Sequence, residues 1–79
     1  MSADQHTFEH DGQRFTCTFK AKFLVEVANG TSSYTLERGG FSDPFSAVEF
    51  YDALAVSGSK RKRLTMIDNG KRTVVARHP

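Results

Sequence analysis

The chain reads as an α+β domain, an antiparallel β-sheet with one helix packed on it, in the order β-β-β-α-β-β. Three observations lead there. Two-residue Asp-Gly or Asn-Gly loops stand at Asp11-Gly12, Asn29-Gly30 and Asn69-Gly70, each between β-type runs, which favours tight hairpins. One stretch alone, Ser42 to Val56, has strong helical periodicity. That stretch lies between the second and third hairpins, so its apolar face is placed to cover an apolar sheet face. At 79 residues the chain makes one small domain, residues 1–79, with a modest core.

Met1 to Gln5 is polar, and residues 1–5 are expected to fray. A hairpin at Asp11-Gly12 sets Glu9 opposite Arg14 and Phe8 opposite Phe15, an ion pair on one face and an aromatic pair on the other. From Phe15 the apolar alternation runs through Cys17, Phe19, Ala21, Phe23, Val25 and Val27. It predicts one long half-buried strand, bent or bulged near Lys20–Lys22. A two-residue loop at Asn29-Gly30 sets Val25 opposite Tyr34, Phe23 opposite Leu36 and Lys22 opposite Glu37, which completes a three-stranded meander.

Gly39-Gly40 leads to the helix. Asp43 suits the N-cap and Pro44 the first helical position, where a missing N–H costs nothing. Ala47, Val48, Tyr51, Leu54 and Ala55 share the core face, with Phe50 at its shoulder; Ser46, Glu49, Asp52 and Ala53 face away. Phe45 lies outside the apolar arc, either covering the sheet edge or exposed for a partner. Gly58 is the expected stop. The last hairpin turns at Asn69-Gly70 and sets Leu64 opposite Val75, Met66 opposite Thr73 and Ile67 opposite Arg72, with Thr65 and Val74 on the second face. It either extends the sheet or pairs with a second copy, so a homodimer is open.

Charge is distributed unevenly. Residues 1–59 hold four basic and eight acidic groups, net −4, whereas residues 60–79 hold seven basic groups and Asp68, net +6. The run Lys60, Arg61, Lys62, Arg63, with Lys71, Arg72 and Arg77, is therefore the first candidate for binding phosphates, RNA or an acidic protein surface. In a strand, Lys60 and Lys62 point to one side and Arg61 and Arg63 to the other. Aromatic residues do not interleave with these charges, so no base-stacking platform is indicated.

Other chemistry is sparse. His6 and His10 would lie about 13 Å apart along a strand, too far for one metal. His6 falls across from Cys17, which is two ligands where a structural zinc site takes four. The histidines are expected on the surface near the chain ends, and Cys17 as a buried small apolar residue. Glu49 and Asp52 form an acidic pair on the outer helix face, a solvated surface or a rim for a basic partner. Ser57-Gly58-Ser59 lacks a nucleophile-elbow pattern, and Gly39-Gly40 lacks that of a phosphate loop. No cofactor fingerprint is present, so an enzyme is not expected. Without a signal-peptide pattern or an apolar run long enough to span a bilayer, a cytoplasmic location is the default expectation.

A non-catalytic domain of this size acts by docking on a macromolecule. One expectation is a protein-binding inhibitor using Phe45, Glu49, Asp52 or the basic hairpin on a protein or ribonucleoprotein complex. The other is a nucleic-acid-binding accessory module using residues 60–77, with Lys60–Arg63 and Arg72 on phosphates. The stretch GFSDPFSAVEFYDAL followed by a Ser-Gly joint, in a small β-rich chain around one helix, resembles phage-encoded anti-CRISPR proteins that inhibit multisubunit surveillance complexes. The resemblance covers about a fifth of the chain and transfers no residue by motif. It implies an inhibitor that docks on such a complex and keeps it from target DNA. Many members are acidic DNA mimics. The basic C-terminal segment departs from them, and so implies steric obstruction or attachment through that segment.

Overall fold

Strand β3 (Lys22–Asn29) is the centre of the molecule, paired on both sides. The computed structural model describes residues 5–78. The remaining elements are β1 (Gln5–His10), β2 (Gln13–Thr18), β4 (Thr35–Phe41), α1 (Pro44–Ala53), β5 (Lys60–Asp68) and β6 (Lys71–His78). The class is α+β and the element order is the expected β-β-β-α-β-β. The strands divide into a four-stranded antiparallel sheet ordered β4-β3-β5-β6 and a separate β1–β2 hairpin. The fraying expected of residues 1–5 falls outside the described residues except at Gln5, which is the first residue of β1.

Two hairpins follow their turn chemistry. Asp11 and Gly12 take φ of 50° and 79°, and Asn69 and Gly70 take 54° and 77°, the left-handed pair that a tight hairpin turn requires. Phe8 pairs with Phe15 and Glu9 with Arg14, whose Nη2 lies 3.0 Å from Glu9 Oε2. In β5–β6, Met66 pairs with Thr73, Ile67 with Arg72 and Thr65 with Val74 as expected. Leu64, however, pairs with Ala76 rather than Val75, because the register shifts by one residue there.

The second hairpin differs from expectation. Asn29-Gly30 is not a two-residue turn, since β4 begins only at Thr35. The register is Val27 with Thr35, Glu26 with Leu36, Val25 with Arg38 and Phe23 with Phe41, shifting twice along β4. The reason is that Asn29 is committed to β5. The Gly30 N–H donates to the Ser59 carbonyl (2.9 Å), and Ser59 Oγ donates to Asn29 Oδ1 (3.1 Å). Asn29 itself pairs with Lys60.

The long strand also breaks. β2 ends at Thr18, the Ala21 N–H closes a turn on the Thr18 carbonyl (3.2 Å), and Phe19 is exposed instead of sharing the apolar face. Asp68 holds the break, accepting from the Thr18 N–H (2.9 Å) and the Thr18 hydroxyl (2.6 Å). The expected three-stranded meander is thereby replaced. β2 leaves the main sheet, and β5 takes the place beside β3, with Lys22 through Asn29 paired to Ile67 through Lys60.

Helix α1 is shorter than the stretch Ser42 to Val56. Asp43 caps it, accepting from the Phe45 N–H (3.1 Å) and the Ser46 hydroxyl (2.9 Å), with Pro44 in the first turn. It ends at Ala53, where Leu54 turns extended, and not at Gly58, which belongs to the turn before β5. Ala47 and Tyr51 are buried and Val48, Phe50 and Leu54 half-buried, as the periodicity predicts, whereas Ala55 is exposed.

One face of the sheet is covered by α1 and by the β1–β2 hairpin. Phe23, Val25, Leu64, Met66 and Val75 meet Ala47 and Tyr51 there, with Phe8 and Cys17 from the hairpin. Phe8 joins the layers, lying edge-on to Phe23 at 5.6 Å and stacked on Phe15 at 5.3 Å. Phe23 is 0% exposed, so Phe23→Ala is expected to cost about 3–5 kcal/mol. Phe45→Ala, at a side chain 61% exposed, is expected to change stability by no more than about 0.5 kcal/mol. Urea denaturation of both variants checks the contrast.

Candidate functional site

The basic run lies in β5, and strand alternation divides it as expected. Lys62 points to the helix side and Arg61 and Arg63 to the opposite side. Lys62 is buried. Its ammonium donates to the carbonyls of Tyr51 (2.6 Å) and Leu54 (2.9 Å) and lies 4.3 Å from the Tyr51 ring centroid. A cation here serves carbonyls of the helix's last turn and its negative dipole end. Lys62 therefore does not share a surface with the other cations.

On the opposite side of the sheet, loop residues 30–34 fold back over β5. Arg61 Nη2 donates to the Ser32 carbonyl (3.1 Å), while its buried Nε has no acceptor. The Tyr34 ring lies 4.9 Å from the Arg61 guanidinium and 4.0 Å from that of Arg63. Arg63 Nε donates to Glu26 Oε1 (2.8 Å), which also accepts from the Thr65 hydroxyl (3.1 Å). Arg72 reaches across from β6 to within 3.9 Å of Glu26 Oε2. Burial pushes the Glu26 carboxyl up, but hydrogen bonds from Arg63 and Thr65 and the charges of Arg63 and Arg72 outweigh it. The net effect holds Glu26 below its ordinary value.

Around this network the face is open. Cross-strand partners share a face, so Lys22 and Leu24 lie with Ile67 and Thr65, and Leu36 lies beside Glu26. Leu36 is 60% and Val74 44% exposed, with Leu24 and Ile67 half-buried beside them. No described element covers these side chains; α1 and the β1–β2 hairpin are both on the other face.

The remaining candidates are dispersed. Lys60 and Lys71 are exposed at opposite ends of the β5–β6 pair. Phe45 and Glu49 are exposed on α1, away from the Tyr34 stack. Asp52, expected on a free outer face, is engaged: His10 Nε2 lies 3.0 Å from its Oδ1, tying the first hairpin to the helix. His10 is correspondingly not a surface histidine. Its side chain is 9% exposed, its Nδ1 is 3.5 Å from Asp11, and its ring meets Tyr51 edge-on at 5.7 Å. Cys17 is buried, and burial first, then the charge of Asp68, pushes its thiol up. Among the described residues no group of three or more His, Cys, Asp or Glu side chains is arranged to hold a metal. No helix there is long and apolar enough to cross a membrane.

Sequence reasoning missed Glu26, Tyr34, Leu36, Thr65, Val74 and Lys22. A signal existed for Glu26, the one carboxylate in β3, but it becomes informative only once β5 is known to lie alongside. The chain matches no protein-family model, no curated protein and no solved structure.

Two outcomes follow from this geometry. Lys62→Met keeps the apolar stem but removes the ammonium that the Tyr51 and Leu54 carbonyls accept from, leaving Tyr51 only its bond from the Leu54 N–H, and is expected to cost about 1–3 kcal/mol in urea denaturation. Glu26 has a folded-state pKa below its unfolded value, so its contribution is present at neutral pH and is lost as pH falls from about 4.5 through the folded pKa. Glu26→Gln should flatten that acid limb without abolishing it, because hydrogen bonds from Thr18 to Asp68 and from Ser46 and Phe45 to Asp43 lower those carboxyls as well. Urea midpoints of both proteins at pH 7 and at about pH 3 measure the difference.

Proposed function

We propose that the chain is a non-catalytic protein-binding inhibitor that docks on a larger assembly and obstructs it. Following the resemblance of its helix stretch, that assembly is a CRISPR surveillance complex, kept from its target DNA. The observation that favours a protein partner over nucleic acid is the Tyr34 stack. Two guanidiniums already lie against the ring, so a base has no free aromatic platform. Tyr34 and the arginines are residue types enriched in protein–protein contacts, and exposed Leu36 and Val74 add apolar area on the same face.

The non-catalytic part of the reading rests on the state of the reactive groups. His10 is tied to Asp52, which gives it a structural role between the first hairpin and the helix, and the Cys17 thiol is buried with its pKa raised, which leaves it unpoised as a nucleophile.

A nucleic-acid accessory role is the second reading. It is favoured by the exposed Lys60 and Lys71 and by Arg72, whose contact with Glu26 is long. Size-exclusion chromatography of the nuclease-treated chain with a purified surveillance complex separates the two. Co-elution together with reduced target-DNA binding by the complex is the expected result. No co-elution, with tight binding of a bare duplex that weakens steeply as salt rises, would establish the second reading instead.

A further inference from the structure

We propose that the uncovered face of the four-stranded sheet is the docking surface, and that its occupant is a carboxylate-rich protein surface with an apolar centre. The inference rests on the protein-binding reading and specifies where the partner sits and what chemistry it presents.

Charge complementarity identifies the occupant. Lys22, Arg61, Arg63 and Arg72 share this face with Glu26, which Arg63 and Arg72 approach, so these five side chains carry +3. The whole chain carries +2, which leaves the remainder at −1. Positive charge is thus gathered on the one sheet face that no described element covers. A second copy meeting this face with its own would oppose +3 to +3, which costs rather than stabilises. A phosphate backbone satisfies the cations but not Leu36, Val74, Leu24 and Ile67, which would lie against charged oxygens. A protein surface bearing Asp and Glu around aliphatic side chains satisfies both sets.

The face is also pre-organised. Arg61 is held by the Ser32 carbonyl and Arg63 by Glu26, with Tyr34 against both guanidiniums. Little side-chain freedom remains to be lost there on binding. The division of labour follows: the Arg61–Tyr34–Arg63 stack is a rigid centre, Arg72 and Lys22 are the freer cations that read the partner's carboxylates, and Leu36 and Val74 supply apolar contact. Phe45 and Glu49 on α1 lie outside it.

The test uses isotope-labelled full chain and two probes, a short peptide rich in Glu and Leu and a short DNA duplex, at physiological salt. The peptide is expected to shift the backbone amides of Leu24, Leu36, Thr65, Arg72 and Val74 and leave those of α1 unmoved. Lys22→Glu with Arg72→Glu should weaken it by about tenfold or more, Leu36→Asp should weaken it as well, and Glu49→Lys should not; amide dispersion shows that each variant is folded. Shifts concentrated on Phe45 and Glu49, or no shift at all, would overturn this surface while leaving co-elution with a protein assembly intact. Tighter binding of the duplex to the same amides would overturn the protein reading itself. Concentration-dependent broadening confined to this face without peptide would show that a second copy occupies it, and would also overturn the proposal.

Discussion

The antiparallel ladder between β3 and β5 is the constraint on which the rest of the structure depends. It joins positions 31 to 45 apart in sequence, from Asn29 with Lys60 to Lys22 with Ile67. Everything between them is folded around that closure. The loop at 30–34 is turned back over β5, β4 is pushed to an edge, and α1 is laid over the ladder's apolar side. A ladder this non-local is entropically costly to close before its contacts form, and such long-range pairing slows folding. It also sets the chemistry. The basic segment sits against Glu26 because β5, and not β4 alone, is the neighbour of β3.

What the sequence made legible is what local chemistry decides. Asp11-Gly12 and Asn69-Gly70 lie in the left-handed region inside tight turns, and Asp43-Pro44 begins the helix, because each depends on residues within a few positions. The larger failures involve a distant partner. Asn29-Gly30 has the same letters as a hairpin turn, but Ser59 and Lys60 claim its hydrogen-bonding groups. The alternation from Phe15 to Val27 is real in the letters, yet Asp68, fifty positions on, fixes Thr18 as an end. The helix stops short of Gly58, and its last carbonyls go to Lys62. For the site, alternation correctly separated Lys62 from Arg61 and Arg63, but their destinations were unreadable without the strand order.

The four basic residues of the run therefore have different roles despite their adjacency. Lys62 is structural, and its charge is spent on the helix end. Arg61 and Arg63 fix the loop and Tyr34, and Arg63 neutralises Glu26. Lys60 alone is free at the strand's start. A count of charge in sequence overstates the cations available to a partner, while the contribution of Lys22 and Arg72, from other strands, is hidden in that count.

The register shifts in β4 and β6 have a separate consequence. Both outer strands of the four-stranded sheet are irregular, β4 at two places and β6 at one. Such irregularity twists an edge and interrupts the even row of N–H and C=O groups that a further strand would need. Growth of this sheet sideways is thus disfavoured. The sheet resists the strand-by-strand stacking that leads to fibres, and recognition by strand addition is disfavoured at both ends.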